Sequence, residues 1–425
     1  MCAKMNHSYG VLDTPWKLSY HKDRIHNFLA GKTKEIVPVT VHFMPTLRCS
    51  YNCWYCTYGK TKKGHANLEM SLGEAKYCLK ELKSIGVNGI LFTGGGDPTM
   101  HPYLIEIMQE CRDLGMLFSI NTNGYKLTPE LSKKVLTLNP VYVRLSINAG
   151  SPEVHKLMSG VDGFVKVLEN YEALLRNKAE TGSISNISVA YVVGILNYRD
   201  IEKLADKIDE IEKRVARETG IRTRSDLTVR PVYNYPQSKN YDDKIIEEII
   251  AFLNKRSSEE VEDFKKYMYE AANTPKHILD TAVEIMENTI KPKLMATGST
   301  VRVFYPARRF EAWGKTEPKS YSCCHGLYFY GAVWSDGRLY QCVEQAGMEG
   351  YDIGNLLKTS AKQIMTSVER KQKADWINNE VIKTKCPCVC AYEDTNVYLD
   401  SLLTGRQMYE PSSPGEKPPD IASFI

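Results

Sequence analysis

Val37-Pro-Val-Thr-Val-His-Phe43, followed at once by Pro45-Thr-Leu-Arg-Cys-Ser-Tyr-Asn-Cys-Trp-Tyr-Cys-Thr-Tyr58, is the stretch on which the fold turns. The first part alternates apolar and polar residues as a half-buried strand does. The second part is a loop carrying Cys49, Cys53 and Cys56. Thiols separated by three and then two residues can converge on one metal centre, because a loop of that length curls back without strain. Three ligands do not complete an iron–sulfur cube, which normally takes four cysteine thiolates. A cube held here leaves one iron open to a non-protein ligand. A three-cysteine zinc site and three cysteines that only pack are the alternatives. Zinc usually joins Cys-x2-Cys to a second such pair or to histidines, and no partner of that kind lies nearby in the sequence.

Outward from this loop the chain repeats one pattern. A capped helix spans Ser71 to Gly86, and Gly89-Ile-Leu-Phe-Thr93 is an apolar strand. Tyr103 to Leu114 is a helix, Leu117-Phe-Ser-Ile-Asn-Thr122 a strand, Pro129 to Leu138 a helix, and Val141-Tyr-Val-Arg-Leu-Ser-Ile147 a strand. Phe164 to Asn177 is a helix, Ile187-Ser-Val-Ala-Tyr-Val-Val193 a strand, Asp200 to Glu218 a charged helix, and Leu227-Thr-Val-Arg-Pro-Val232 the sixth strand. Strands alternating with helices predict a parallel sheet with helices outside, in the α/β class. Right-handed crossovers curl such a sheet towards a barrel, and six units fall short of the eight that close one.

The chain has 425 residues and a net charge of +4. That length buries a full core, as one large domain with an appendage or two moderate ones. The charge is too small for this size to call for nucleic acid or an anionic membrane surface. No apolar run approaches a membrane span, and residues 1–31 lack the layout of a signal peptide. Neither a membrane nor a nucleic-acid partner is therefore expected, and the expected location is cytoplasmic. The twelve cysteines form two clusters and three outliers, Cys2, Cys78 and Cys111. That distribution suits metal binding in a reducing compartment better than disulfides, with Cys78 and Cys111 packing on apolar helix faces. Asn6-His-Ser8 and Asn186-Ile-Ser188 match the glycosylation triplet, which carries no weight without secretion.

Cys-x3-Cys-x2-Cys with Tyr55 just before the third cysteine resembles the signature of the radical S-adenosylmethionine (radical SAM) enzymes. The resemblance covers about residues 37–237 and implies a partial (βα)6 TIM-like barrel. It also implies a [4Fe–4S] cluster whose open iron is chelated by S-adenosylmethionine, and a one-electron donor such as flavodoxin or ferredoxin. Reduction would then break the sulfonium to give a 5′-deoxyadenosyl radical. Thr93-Gly-Gly-Gly-Asp-Pro-Thr99 has glycines that let backbone approach a ligand and a carboxylate able to bind an ammonium. Within it, Gly95, Gly96, Asp97 and Pro98 are similar to the family's GGEP motif, with Asp97 where the family usually has Glu. Asn121, Asn123 and Ser146 follow the third and fourth strands. They resemble residues lining the cofactor's ribose and methionyl carboxylate, with turn capping as the alternative. Val193 to Asn197 ends the fifth strand where the family often contacts adenine. Arg230, by family position, reaches the methionyl carboxylate or an anionic substrate.

A second cysteine group lies near the C-terminus. Cys323 and Cys324 precede Trp334-Ser-Asp-Gly-Arg338, a hairpin turn signal, and Cys342 follows it. A hairpin brings its ends together, so these cysteines become neighbours. Cys386-Pro-Cys-Val-Cys390 adds three thiols, including Cys388. Four of the six thiols can enclose one more cluster, with a structural zinc as the alternative. The arrangement is similar to the twitch or SPASM extension of radical SAM enzymes and implies one auxiliary [4Fe–4S] cluster. It leaves open which of Cys323 and Cys324, and which two of Cys386, Cys388 and Cys390, are ligands. The expected organisation is a lead-in over 1–36, the barrel over 37–237, a helical connection over 238–300 and the auxiliary-cluster domain over 301–425.

What the resemblance implies is hydrogen-atom abstraction from a substrate, ending in oxidation or epimerisation with help from the auxiliary cluster. The lead-in of about 35 residues is shorter than the folded leader-recognition domain of many peptide-modifying members. This favours a small molecule, such as a carbohydrate or sugar nucleotide, with Arg302, Arg308 and Arg309 able to meet phosphate or carboxylate. A maturase acting on a peptide or protein is the rival, and a non-enzymatic metal-binding interaction protein the third possibility. No side chain stands out as a general acid or base.

Overall fold

The structure is a computed structural model and describes residues 15–61, 65, 67–233, 243–270, 273–313, 319–386, 390–409 and 419–424. Ten strands run through the described residues: β1 (Thr40–Phe43), β2 (Gly89–Phe92), β3 (Leu117–Thr122), β4 (Tyr142–Ser146), β5 (Asn186–Val193), β6 (Ser225–Pro231), β7 (Arg302–Phe304), β8 (Tyr330–Val333), β9 (Arg338–Tyr340) and β10 (Asp352–Asn355). The first six match the six predicted strands, with helices between them, so the fold is α/β and of the partial-barrel kind. β1 starts three residues later than the alternation predicts. Pro38 has no N–H to give a ladder, and Val39 N instead donates to the Phe329 carbonyl at 2.7 Å. By contacts the chain divides into two compact units, each discontinuous in sequence.

One unit comprises Val11–Arg48, Thr61–Asn121 and Thr316–Ile425. Here β1 pairs in parallel with β2 on one side and with β8 on the other, Phe43 facing Phe92 and Val333. β2 continues in parallel to β3. β8 and β9 form the hairpin that Ser-Asp-Gly predicts, Trp334 N donating to Arg338 O and Gly337 N to Trp334 O, both at 2.9 Å. Gly337 sits at φ +84°, in the left-handed region that glycine enters without penalty. Helix Leu72–Ser84 opens with a capping box between Ser71 and Glu74. Its Cys78, and Cys111 on helix Leu104–Asp113, are fully buried, and burial pushes the Cys78 thiol up to about 12. Both are packing residues, as their spacing predicts.

The other unit comprises, among the described residues, the segments within Cys49–Lys60 and Thr122–Lys315. Strands β4 to β7 are all parallel, with Ser146 opposite Ala190, Val192 opposite Arg230 and Thr228 opposite Phe304. Helix Ile201–Thr219 buries Ile201, Leu204, Ile208, Ile211 and Val215, a three–four spacing that makes one apolar stripe turned inward. Each such side chain contributes about 2 kcal/mol by leaving water. The stretch predicted as a helical connection does form helices, at Asp243–Asn254, Ser258–Tyr269, Lys276–Ile285 and Lys291–Ala296. It belongs to the same unit as the cysteine loop. Among the described residues no helix is long and apolar enough to cross a membrane.

Candidate functional site

Cys49, Cys53 and Cys56 are half-buried thiols. Their loop is a run of tight turns, with Cys56 N donating to Cys53 O at 3.2 Å and Gly59 N to Cys56 O at 2.9 Å. Two donors face the Cys49 sulfur, Tyr51 N at 3.4 Å and Asn123 Nδ2 at 3.7 Å. Donors of this kind favour the thiolate, the form that binds metal. Asn123 also donates to Ser50 Oγ at 3.1 Å, so the asparagine predicted to face the cofactor also braces the loop. Trp54, 3 % exposed, is wedged edge-on against Phe264 at 5.6 Å and Tyr267 at 5.3 Å, both on helix Ser258–Tyr269.

Tyr55 is the most constrained residue of the loop. Burial first, and then the neighbouring Cys53, push its phenol well above the ordinary range, so it stays neutral and hydrogen-bonds the Cys53 thiol. Asn148 Nδ2 donates to the same hydroxyl at 2.7 Å, while Asn148 Oδ1 accepts from Val192 N at 2.8 Å. The Asn148 carbonyl in turn accepts from Asn197 Nδ2 at 2.9 Å. The turn after β5, predicted to lie along adenine, thus also anchors the residue that anchors Tyr55. Nothing in the sequence gives Asn148 that role, because its partners come from the cysteine loop, from β5 and from the turn after β5.

Tyr51 meets the buried His155 imidazole, hydroxyl to Nε2, at 3.1 Å. Burial pushes His155 down to about 4, against a weak opposing pull from Asp162. A folded-state value below the unfolded 6.5 means that the unfolded chain takes up the proton first. Stability is then full above pH 6.5 and falls by up to about 3 kcal/mol as the pH drops towards 4. Urea unfolding of the parent and of His155→Asn at pH 7 and pH 4.5 checks this. The parent should lose more stability between the two conditions, and equal losses would assign the acid sensitivity elsewhere.

In the other unit, the glycine-rich turn after β2 folds against the end of β1. Gly96 N donates to Thr46 O at 3.1 Å and Asp97 N to Arg48 O at 2.8 Å. A Cβ on Gly96 would stand 2.3 Å from Arg48 O, and one on Gly95 2.6 Å from the Trp334 ring. Glycine is therefore needed for close packing at both positions. The buried Asp97 carboxylate accepts from Thr99 N at 2.9 Å and caps the short turn Pro98–Met100. Asp-Pro followed by Thr is a helix-start signal legible in the sequence, and the shorter arm of Asp97 goes to that cap. Asn121 Oδ1 is buried and has no hydrogen-bond partner among the described residues, so the hydroxyl or amine of a ligand would satisfy it. Back in the unit of the cysteine loop, Ser146 and Arg230 are half-buried at the carboxyl ends of β4 and β6. Arg302 is committed to Asp226 at 2.5 Å, and Arg309 is buried with Nη1 at 3.4 Å from the Tyr233 hydroxyl. Arg302 thus pairs with Asp226 while its side chain stays 31 % exposed.

Four thiols of the second group come together. Cys342 feels the charges of Cys324, Cys386 and Cys390, and Cys390 those of Cys324 and Cys386. Burial is the largest cause that pushes all four thiols up, Cys324 to about 11. A bound cation centre reverses that penalty by taking the thiolates as ligands. Asn378 Oδ1 accepts from Cys324 N at 2.7 Å, and Asn396 Nδ2 donates to the Cys324 sulfur at 3.5 Å. Cys323 is oriented differently, accepting from Ser322 Oγ at 3.8 Å and acting on Tyr328. Cys388 lies outside the described residues. Among the described residues no three His, Cys, Asp or Glu side chains gather closely enough for a single metal ion.

Residues 43–208 match the family model described as the radical SAM superfamily. The chain is 31% identical over 206 residues to the Fe-coproporphyrin III synthase of Methanosarcina barkeri, covering 47% of this chain and 49% of that protein. It is 29% identical over 140 residues to a probable GTP 3′,8-cyclase of Thermococcus kodakarensis, covering 33% and 45%. The chain thus spans about half the length of the curated relatives it matches. Among solved structures, Streptococcus suis SuiB bound to its precursor peptide SuiA superposes with a TM-score of 0.52 at 14% identity, covering 81% of this chain and 68% of that one. That likeness is one of fold.

Proposed function

We propose, from the premise that residues 43–208 are a radical SAM domain, that the chain is an enzyme that oxidises a small molecule by hydrogen-atom abstraction. Cys49, Cys53 and Cys56 would hold an open [4Fe–4S] cube with S-adenosylmethionine. Cys324, Cys342, Cys386 and Cys390, in a domain over about 301–425, would hold the auxiliary cube. When bound, the first cube and S-adenosylmethionine supply the radical that takes the hydrogen atom, and the second supplies a place for the electron left behind. What supports oxidation over epimerisation is the mutual electrostatic influence of four thiols, Cys324, Cys342, Cys386 and Cys390, enough to ligate a cube at every iron. A cube ligated at every iron by protein has no vacant corner for substrate and is suited to electron transfer.

The chain's own residues position these groups. Asn148 holds Tyr55, and Tyr55 holds Cys53. Asn121 offers an unspent acceptor, and Ser146 and Arg230 stand at the carboxyl ends of β4 and β6. An acidic one-electron protein of the flavodoxin or ferredoxin kind would supply the reducing electron. The names of the curated relatives, a coproporphyrin synthase and a GTP cyclase, support a small-molecule substrate. The narrower expectation of a carbohydrate loses Arg302 as support, since Asp226 takes it.

The test is anaerobic incubation with deuterium-labelled candidate substrates, following label into 5′-deoxyadenosine. With Cys342→Ala, iron should fall from about eight to about four per chain, two cubes to one. 5′-Deoxyadenosine release should stay within about threefold of the parent, and oxidised product should fall about a hundredfold, some 2.7 kcal/mol on the barrier. Unchanged product formation in that variant would remove the second pocket from the reaction. Label arriving only from a precursor peptide would replace the small molecule with a maturase's substrate.

A further inference from the structure

Beside the four-thiol pocket lies a charged triad that the chemistry above does not use. Tyr321, buried, donates to Glu393 Oε2 at 2.6 Å. Lys319 Nζ donates to the same tyrosine hydroxyl at 3.2 Å and stands 3.6 Å from Glu393 Oε2. The side chains of Lys319 and Glu393 are only 13 % and 6 % exposed, so this ion pair is weakly screened by solvent. It also sits against the thiols' own segments. Glu393 N donates to Cys390 O at 3.1 Å, and Asn396, on the same helix Glu393–Leu403, donates through Nδ2 to the Cys324 sulfur at 3.5 Å. Lys319, paired with Glu393, is thereby held beside the segments that carry Cys390 and Cys324, and its charge favours their ionised form.

We propose that Lys319, held by Tyr321 and Glu393, sets the reduction potential of the cluster bound by Cys324, Cys342, Cys386 and Cys390, as a positioning residue that acts through its charge. This rests on the auxiliary-cluster assignment made above. A cube ligated by four thiolates is anionic, and reduction adds one further negative charge. A fixed cation at the pocket wall stabilises the reduced state more than the oxidised one and so raises the potential. The cluster is thereby readied to take an electron. Glu393 moderates the effect, so removing either partner moves the potential, in opposite directions.

The test is a potentiometric titration followed by electron paramagnetic resonance, on full-length protein carrying Cys53→Ala so that only the second cluster reports. Iron analysis comes first, and about four irons per chain in this background is the premise. Their absence refutes the cluster assignment and the proposal with it. Lys319→Met is expected to lower the midpoint by at least a tenfold change in the reduction equilibrium, 59 mV for one electron. Glu393→Gln is expected to raise it, and Lys319→Arg to restore it towards the parent. An unmoved midpoint in Lys319→Met, or shifts of the same sign in Lys319→Met and Glu393→Gln, overturns the role of Lys319 while leaving the cluster in place. Should Lys319→Met fail to hold iron, Glu393→Gln decides alone, and an unmoved or lowered midpoint there overturns the role as well.

Discussion

Cys53→Ala is expected to lower reductive cleavage of S-adenosylmethionine to below about a thousandth of the parent rate, roughly 4 kcal/mol on the barrier. Cys53 is the middle thiol of the loop, and the Tyr55 hydroxyl is hydrogen-bonded to it. Removing it leaves two candidate ligands for a cube that already lacks a fourth, and it also frees Tyr55 from one of its two restraints. The loop itself should survive, because Trp54 stays wedged against Phe264 and Tyr267 and Asn52 N still donates to Ser159 O at 2.8 Å. The measurement is 5′-deoxyadenosine released under dithionite, paired with iron analysis and circular dichroism. A folded variant that still cleaves the cofactor would refute the assignment of this loop.

Gly96→Ala should be the most damaging small substitution in the glycine-rich turn, costing about 3 kcal/mol by overpacking. Gly96 does not use a left-handed backbone, so the cost is steric. Its Cβ would lie 2.3 Å from Arg48 O and 2.5 Å from Leu47 C, which are backbone atoms of the segment leading to Cys49. They cannot swing aside without breaking the bonds from Gly96 N to Thr46 O and from Asp97 N to Arg48 O. At Gly95 the nearest atoms, Leu47 Cδ2 and the buried Trp334 ring, are side-chain rather than backbone atoms, which shift at lower cost. Gly95→Ala should therefore cost about 1 kcal/mol. Urea midpoints of the two variants give the comparison, and equal losses would show that the backbone contact is not the constraint.

Much of this was legible because local chemistry decided it. The strand-and-helix alternation followed from apolar runs and serine or threonine caps, and the β8–β9 hairpin from Ser-Asp-Gly. The burial of Cys78 and Cys111 followed from helical spacing. What could not be read depends on partners distant in the chain. Cys323 and Cys324 are adjacent and chemically equal, and only the fold turns Cys324 towards Cys342. Tyr55 is visible from its place before Cys56, but Asn148 is not, since its role comes from the register of β4 against β5. Trp334 behind Gly95 belongs to the same class. The joining of β7 to β6 was hidden for another reason, a strand of three residues being too short for any period to show.

β1 acquires its second neighbour very late. Ser335 Oγ donates to the Met44 carbonyl across 291 residues of chain, and β8 is laid beside β1 in the same region. At ordinary rates of translation, β1 emerges from the ribosome roughly 15 to 60 s before β8 is made. Throughout that interval one side of it is an open ladder that any other extended segment can occupy. The first cysteines are thus synthesised long before the strand that leads into them is enclosed. A nascent chain stalled before residue 330 would present them on an unfinished, adhesive edge, and co-expressed holdase chaperones should raise the soluble yield more than a slower supply of iron does.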